Sequence, residues 1–200
     1  METLKTTIER VKLHAKENFV PIVRDKTLEK IISLCKEHGF KNALEIGTAT
    51  GYSGLNILSV VASLTTIEKN EQRFKEAENN FIEAGVKPKV TQYLGDAEEI
   101  LKQLSMQEQK FDFVFLDGPK GQYIKYLPYI TTLLTGGGIL FADNILVCGL
   151  LNDEKRVNHK NRTMVRNMQK FIEQIKNSKE YETEIFEIED GFAICKKQKD

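Results

Sequence analysis

Short apolar stretches that alternate with helical and turn segments are the feature that most restricts how this 200-residue chain can fold. Each stretch is bounded by glycine or polar residues, which is typical of buried strands. The strand candidates are residues 43–46, 64–67, 89–94, 111–116 and 138–142. A glycine-bearing turn and a helical stretch at 55–62 follow the first candidate. Alternation of this kind predicts an α/β domain with a parallel sheet.

The two ends of the chain follow other patterns. An amphipathic helix is predicted before Pro21, because apolar residues recur at helical spacing at Leu4, Ile8, Val11 and Ala15. A second helix is predicted from a cap at Asp25 to the ending signal Gly39. Near the C-terminus, a helix over 163–175 is followed by two strand candidates, 184–188 and 192–196, on either side of a short turn, which predicts an antiparallel hairpin. We expect one domain over residues 1–200, with the helices of residues 1–40 packing on or capping the core.

Charge and cysteine content restrict the partners and the compartment. The 29 basic and 29 acidic residues balance, so no overall field attracts the chain to nucleic acid or membrane. The three cysteines are far apart and form no CxxC pair, which favours reduced thiols over disulfides and gives no support to a zinc site. No run is long enough to span a bilayer. We therefore expect a cytoplasmic protein.

The loop after the first strand is a candidate cofactor loop. Glycines at 47, 51 and 54 stand where ligands approach the backbone in doubly wound sheets, and their spacing departs from the GxGxxG of dinucleotide sites. The acidic Glu45 just before this loop favours S-adenosylmethionine over NAD. Glu68, at the end of the second strand, could accept hydrogen bonds from ribose hydroxyls, and Asp96 with Ala97 after the third strand could hold an adenine edge. Each feature alone could equally be an ordinary turn or a solvated side chain.

Oxygen-bearing side chains end the next two strands. Asp117 follows the fourth strand, and the pair Asp143 and Asn144 ends the fifth, so all three should converge at one rim of the sheet. Such ligands suit a hard cation, with Mg²⁺ favoured over other divalent ions. Lys120 could remove a proton from an acceptor hydroxyl or stabilise its oxyanion. Turn chemistry explains the acidic pairs equally well, and Lys120 could be merely solvated.

Four motifs together resemble one family, the cation-dependent O-methyltransferases that include catechol and caffeoyl-CoA methyltransferases. They are LEIGTATGYS at 44–53, TIEKN at 66–70, LDGPKGQY at 116–123 and ADN at 142–144. The resemblance covers nearly the whole chain. It implies a Rossmann-like class I methyltransferase fold, with a seven-stranded, mostly parallel sheet, helices on both faces and a C-terminal antiparallel hairpin. It also implies a homodimer.

The resemblance assigns roles to individual residues. The methionine portion of S-adenosylmethionine would be lined by Glu45, Gly47, Thr48 and Ser53, with Val23 close by. Glu68 would hold the ribose, and Asp96 and Ala97 would flank the adenine. The metal ligands would be Asp117, Asp143 and Asn144. Asp117 would also lie near the cofactor, and Lys120 would act as the base.

Within this family, the segments 120–123, 143–146, 149–150 and 190–194 resemble those of the bacterial tRNA 5-hydroxyuridine methyltransferases. This similarity implies methylation of the 5-oxygen of 5-hydroxyuridine at the wobble position, in the tRNA anticodon loop, to give 5-methoxyuridine. A basic stretch after the metal pair could neutralise phosphates, and its members are Lys155, Arg156, His159, Lys160, Arg162 and Arg166. Tyr123 or Tyr126 could stack on the splayed base. A solvated loop with packed tyrosines is the alternative.

Three other functions remain open at this point. The nearest is the same chemistry on a small catechol-like or phenylpropanoid phenol. An NAD-dependent reductase is disfavoured by the absent GxGxxG and the lack of a Tyr-xxx-Lys pair. A non-catalytic RNA-binding protein is disfavoured by the intact set Asp117, Lys120, Asp143 and Asn144.

Overall fold

The computed structural model describes residues 3–146 and 159–199. Its seven strands form one sheet in the order β3-β2-β1-β4-β5-β7-β6. The strands are β1 Asn42–Ile46, β2 Ser63–Glu68, β3 Val90–Leu94, β4 Phe111–Leu116, β5 Leu134–Asp143, β6 Tyr181–Phe186 and β7 Phe192–Lys197. The α-helices are α1 Leu4–Glu17, α2 Asp25–His38, α3 Tyr52–Ile57, α4 Glu71–Glu83, α5 Ala97–Met106, α6 Tyr123–Leu133 and α7 Arg162–Asn177. The predicted seven-stranded, mostly parallel sheet with an antiparallel end is confirmed.

The chain divides into two compact units, Met1–Ile100 and Leu101–Asp200. The prediction of a single domain over residues 1–200 therefore stays a prediction, and the two units are described separately.

The first unit holds three parallel strands. β1 pairs with β2 from Asn42 opposite Ser63, and β2 pairs with β3 from Leu64 opposite Val90. α4 packs on β2 and β3, and α1 packs on α3 and α4. The buried face of α4 consists of Ala77, Asn80 and Phe81, of which Phe81 is fully enclosed. Parallel pairing places the loops after β1, β2 and β3 at one edge of the sheet, which is where the predicted cofactor residues lie.

The second unit combines both pairing directions. β4 pairs in parallel with β5, whereas β7 runs antiparallel to both β5 and β6. α6 packs on β4 and β5, and α7 packs on α6 and β6. Its core is aromatic, with Phe141 stacked on Phe192 and Tyr123 edge-on to Phe171. The C-terminal ends of β4 and β5 lie in register at Leu116 and Ala142, so the residues that follow them are neighbours.

Several predicted boundaries were wrong, including that of β5, which begins at Leu134 rather than at 138. Asp25 is the first residue of α2 rather than its cap, which is Arg24 without a side-chain hydrogen bond. The helix expected at 55–62 begins at Tyr52, directly after left-handed Gly51, and ends at Ile57, because the chain then turns into β2 through backbone hydrogen bonds to Lys41. The strand expected at 184–188 begins three residues earlier and ends two residues earlier, at Tyr181–Phe186, since residues 187–191 form the turn.

In the part of the chain that the structure describes, we find no helix with the length and apolar character needed to cross a bilayer.

Candidate functional site

The loops after β1, β2 and β3 are joined by backbone hydrogen bonds. Gly47 and Thr48 donate their N–H groups to the carbonyl of Ile67 at 3.0 and 3.3 Å, and Gly95 donates to the carbonyl of Glu68 at 2.9 Å. The predicted cofactor residues of these loops are thereby brought together within the first unit.

A buried hydrogen-bond network lies under the first loop. Glu45 is fully enclosed, and its carboxylate accepts from the hydroxyls of Ser53 at 2.5 Å and Thr66 at 2.7 Å. The hydroxyl of Thr66 also lies 2.5 Å from that of Thr48. Glu45 therefore fixes the loop by binding side chains on β2 and α3. Thr66 was missed in the sequence, although its register opposite Glu45 across two adjacent strands is the signal that could have found it.

Glu68 holds the tip of the same loop. One oxygen of its carboxylate accepts the N–H of Ala49 at 2.8 Å, and the other accepts the N–H of Asn70 at 2.8 Å. Ala49 has a left-handed backbone with φ of 44°, which is uncommon for a residue with a side chain. A carboxylate has about four acceptor positions, so Glu68 retains capacity for two hydroxyl donors. This donor and acceptor chemistry fits a ribose.

Like Glu68, Thr50 has hydrogen-bonding capacity that the described residues do not use. Its side chain is fully buried, and its hydroxyl has no hydrogen-bond partner among the described residues. Buried hydroxyls are rarely left in this state. An unpaired polar atom inside the loop fits a loop that binds a polar ligand.

Asp96 directly precedes α5, which begins at Ala97 after the third strand. Asp96 accepts the N–H of Glu98 at 3.0 Å and the ammonium of Lys69 at 2.9 Å. The hydrogen bond from Lys69 lowers the pKa of Asp96, and bonds from backbone N–H groups add to this effect. Asp96 thus caps a helix, a role that the sequence did not reveal. The adenine contact predicted for Asp96 and Ala97, and the position of buried Val23 near the cofactor, stay predictions.

The second unit holds the acidic pair. Asp117 follows β4 and Asp143 ends β5, one register step beyond the pairing of Leu116 with Ala142. Asp143 is 3% exposed, and burial, followed by the charge of Asp117, raises its pKa to about 7. Lys120 partly offsets this effect. A cation would stabilise the ionised form of the buried Asp143 beside the partly exposed Asp117.

Lys120 and Tyr123 complete a hydrogen-bond chain beside Asp117. The ammonium of Lys120 donates to Asp117 Oδ1 at 2.6 Å and to the hydroxyl of Tyr123 at 2.8 Å. That hydroxyl donates in turn to the carbonyl of Leu116 at 2.8 Å. Burial, with the charges of Asp117 and Asp143, raises the pKa of Tyr123 well above its usual value. The phenol therefore stays neutral and holds Lys120 against Asp117.

Asn144 lies in a left-handed conformation, with φ of 53°. Its backbone N–H donates to Asp143 Oδ1 at 2.7 Å, and its side-chain amide donates to Asp190 at 3.4 Å. Because the amide nitrogen is engaged with Asp190, the amide oxygen is the atom left for a cation. Asp190, in the turn between β6 and β7, was not identified as a supporting residue from the sequence.

The donor set fits Mg²⁺. Two carboxylates and one amide oxygen supply hard ligands and leave coordination positions for substrate or water. Groups of three or more His, Cys, Asp or Glu suited to a metal do not occur in residues 3–146 and 159–199. The predicted set contains only two carboxylates and an asparagine, so this finding does not bear on it. Asp117, Asp143, Asn144 and Lys120 are the residues that would hold the ion and the acceptor.

The predicted base-stacking role of the tyrosines was wrong. Tyr123 and Tyr126 are 0% and 3% exposed and pack inside the second unit, so neither is available to a nucleobase. Lys160, Arg162 and Arg166 are exposed, the last two on the first turns of α7. Lys155 and Arg156 lie outside the described residues. The described part of the basic stretch, including His159, is therefore exposed, as a phosphate-binding surface requires.

Comparisons with known proteins show which family the chain belongs to and which fold it shares. The O-methyltransferase family matches residues 2–198. A catechol O-methyltransferase from Niastella koreensis is 32% identical over 133 residues, which cover 64% of this chain and 59% of that protein. Among solved structures, a candidate caffeoyl-CoA O-methyltransferase from Staphylococcus aureus is 34% identical with a TM-score of 0.87, covering 95% of this chain and 91% of that one. An O-methyltransferase from Bacillus cereus, solved with SAH, has a TM-score of 0.87 at 23% identity and covers 96% and 91% of the two chains.

The sheet order and these fold matches confirm the predicted class I methyltransferase fold. This chain belongs to the O-methyltransferase family.

Proposed function

We propose that this chain transfers the methyl group of S-adenosylmethionine to one of two neighbouring oxygens on an acceptor, with Mg²⁺ as the metal. The observation that carries the proposal is the grouping of Asp117, Lys120, Asp143 and Asn144 at the ends of β4 and β5. Membership of the O-methyltransferase family supports it, as does the fixed loop of the first unit, in which Glu45 and Glu68 anchor the residues predicted to bind the cofactor.

Each group has a separate task in this proposal. When bound, S-adenosylmethionine supplies an electrophilic methyl group, and Mg²⁺ supplies positive charge that favours ionisation of the acceptor hydroxyl. Asp117, Asp143 and Asn144 would hold the metal and so orient the acceptor. As an ammonium, Lys120 Nζ would stabilise the oxyanion, and only after losing its own proton to solvent could it accept the proton of the hydroxyl; Tyr123 fixes its position. Positioning and electrostatics account for most of the rate in such a reaction.

A small catechol-like or phenylpropanoid phenol is the acceptor that we favour. The relatives named above are a catechol and a caffeoyl-CoA O-methyltransferase. The burial of Tyr123 and Tyr126 also removes the stacking groups expected for a nucleobase. Two adjacent phenolic oxygens can chelate a metal ion that is also bound by two carboxylates and one amide oxygen of the protein.

A second candidate acceptor is 5-hydroxyuridine in a tRNA anticodon loop, with oxygens on C5 and C4. The exposed Lys160, Arg162 and Arg166 favour it, because phosphates are neutralised by such residues.

The cytoplasmic location and the homodimer stay predictions.

The test is an incubation with labelled S-adenosylmethionine and Mg²⁺ or EDTA, in parallel with catechol, caffeoyl-CoA and tRNA carrying 5-hydroxyuridine, followed by mass spectrometry. Mg²⁺-dependent methylation of a phenol supports the favoured acceptor. Formation of 5-methoxyuridine without phenol turnover would replace it by tRNA, and then R162A/R166A should lower tRNA turnover while K176A, at the other end of α7, should not. Absence of all three products would contradict the proposal.

A further inference from the structure

The loop after β1 has backbone angles that its own residues do not hold in place. Gly47, Ala49 and Gly51 all have positive φ, at 103°, 44° and 83°. Thr50 lies between two of these residues, and Gly51 has no Cβ to oppose rotation of the peptide unit that joins it to Thr50. The orientation of the Thr50 carbonyl therefore depends on hydrogen bonds.

Each end of this peptide unit has its own partner. The N–H of Gly51 donates to the carbonyl of Thr48 at 2.8 Å, within the loop. The carbonyl of Thr50 accepts from the side-chain amide of Asn80 in α4 at 2.9 Å. Asn80 thus supplies, from another element, a hydrogen bond that helps to hold the Thr50 carbonyl in place.

Asn80 is an unusual residue for its position. It is 6% exposed in the interior of α4, where asparagine has a low helix propensity and buried amides need partners. Its neighbours Ala77 and Phe81 lie under Gly51, and a Cβ added at Gly51 would come 3.1 Å from Phe81 Cζ. These two residues fill space under the loop, whereas Asn80 makes a directional bond to it.

Arg10 of α1 fixes the orientation of the Asn80 amide. Arg10 Nη2 donates to Asn80 Oδ1 at 3.1 Å, and the guanidinium also pairs with Glu83. A guanidinium can only donate hydrogen bonds, so the amide oxygen must face Arg10 and the NH₂ group must face Thr50. An ordered path of hydrogen bonds therefore runs from α1 through α4 to the loop.

From this geometry we infer that Asn80 is a positioning residue for the cofactor loop and that Arg10 acts on the loop through it. The inference rests on the proposed binding of S-adenosylmethionine by this loop. Asn80 holds the carbonyl of Thr50 on one side, and Glu68 holds the N–H of Ala49 on the other. Loss of the Asn80 donor lets the Thr50 carbonyl reorient, which weakens cofactor binding without touching the groups of the second unit.

The test compares N80D with N79D by calorimetric titration with SAH and by steady-state kinetics. The N80D side chain has nearly the same shape and still accepts from Arg10, but it cannot donate to Thr50. The N79D control makes the same chemical change at an exposed position on the same helix. We expect N80D to raise the Kd for SAH and the KM for S-adenosylmethionine about tenfold, with kcat changed less than about twofold. N79D should match the wild type.

The outcomes separate the inference from the function on which it rests. The positioning role would be overturned if the wild type binds SAH and the Kd of N80D lies within twofold of the Kd of N79D, at a temperature where both variants are folded. Absence of SAH binding by the wild type would overturn the proposed function and this inference with it. If N80D does not fold, R10M and E83Q decide: R10M should raise the Kd about threefold, and E83Q, which removes only the ion pair, should not. Equal Kd values for these two variants would contradict the path.

Discussion

Replacing Tyr123 with Phe removes one oxygen atom from the second unit, and its cost can be worked out from the contacts of that atom. The hydroxyl is fully buried, donates to the carbonyl of Leu116 at 2.8 Å and accepts from Lys120 at 2.8 Å. Loss of a buried hydrogen bond that leaves a partner unsatisfied costs about 1–3 kcal/mol. Lys120 keeps its bond to Asp117 and is partly exposed, so water can replace part of the loss on that side. We therefore expect a destabilisation of about 2 kcal/mol.

For a chain of this length, that cost lowers the Tm by roughly 4–8 °C, which differential scanning calorimetry measures. Lys120 also becomes less well fixed, so we expect kcat for the acceptor to fall about tenfold. The Kd for SAH should change less than twofold, because the hydroxyl makes no described contact with the cofactor loop. Y129F, on the same helix but partly exposed, is the matched control and should leave the Tm and kcat unchanged. A Y123F enzyme with wild-type Tm and kcat would refute the assignment of Tyr123 as the support of Lys120.

Three further predictions follow from other contacts. E68Q should raise the Kd for SAH about tenfold or more, because each carboxylate oxygen accepts one backbone N–H and glutamine replaces one of these oxygens with an NH₂ group that cannot accept; an unchanged Kd in a binding titration would contradict the role of Glu68. G191A should lower the stability by about 2–4 kcal/mol in denaturant unfolding, since φ is 72° and the new Cβ would lie 2.2 Å from Leu146 Cγ; adding L146A should restore part of the loss. Cys195 should resist alkylation at pH 8 by peptide mapping, because burial raises its pKa to about 12, and should react fully in denaturant.

The predicted site residues that the structure brings together are those that follow from strand periodicity. Each short apolar stretch ends at a polar residue, and parallel pairing collects those ends at one edge of the sheet. The group of Asp117, Asp143 and Asn144 was predictable for this reason, and Lys120 follows three residues later, whereas Ser53 was identified only through the family resemblance. The strand order was not predicted, because periodicity does not say which strands pair, and the number of strands came from the resemblance.

Residues that act from other elements were not predictable in this way. Thr66 donates to Glu45 and contacts Thr48, and Asn80 donates to Thr50, through contacts that depend on which strands and helices lie side by side. The burial of Tyr123 could have been found from the apolar spacing of Tyr123, Leu127 and Ile130 along α6, which the expected nucleobase role obscured. Asp190 reaches Asn144 only because β7 returns antiparallel to β5, which is a long-range feature.

The cation site formed by Asp117, Asp143 and Asn144 is tested most directly by measuring methyl transfer to the preferred acceptor. The wild type and D143N are each assayed in EDTA and again after Mg²⁺ is restored. The wild type should be inactive in EDTA and recover with Mg²⁺. D143N should bind SAH like the wild type but recover about 100-fold less activity or worse, because one carboxylate ligand is gone. Wild-type turnover in EDTA, or full recovery of D143N with Mg²⁺, would contradict the claim.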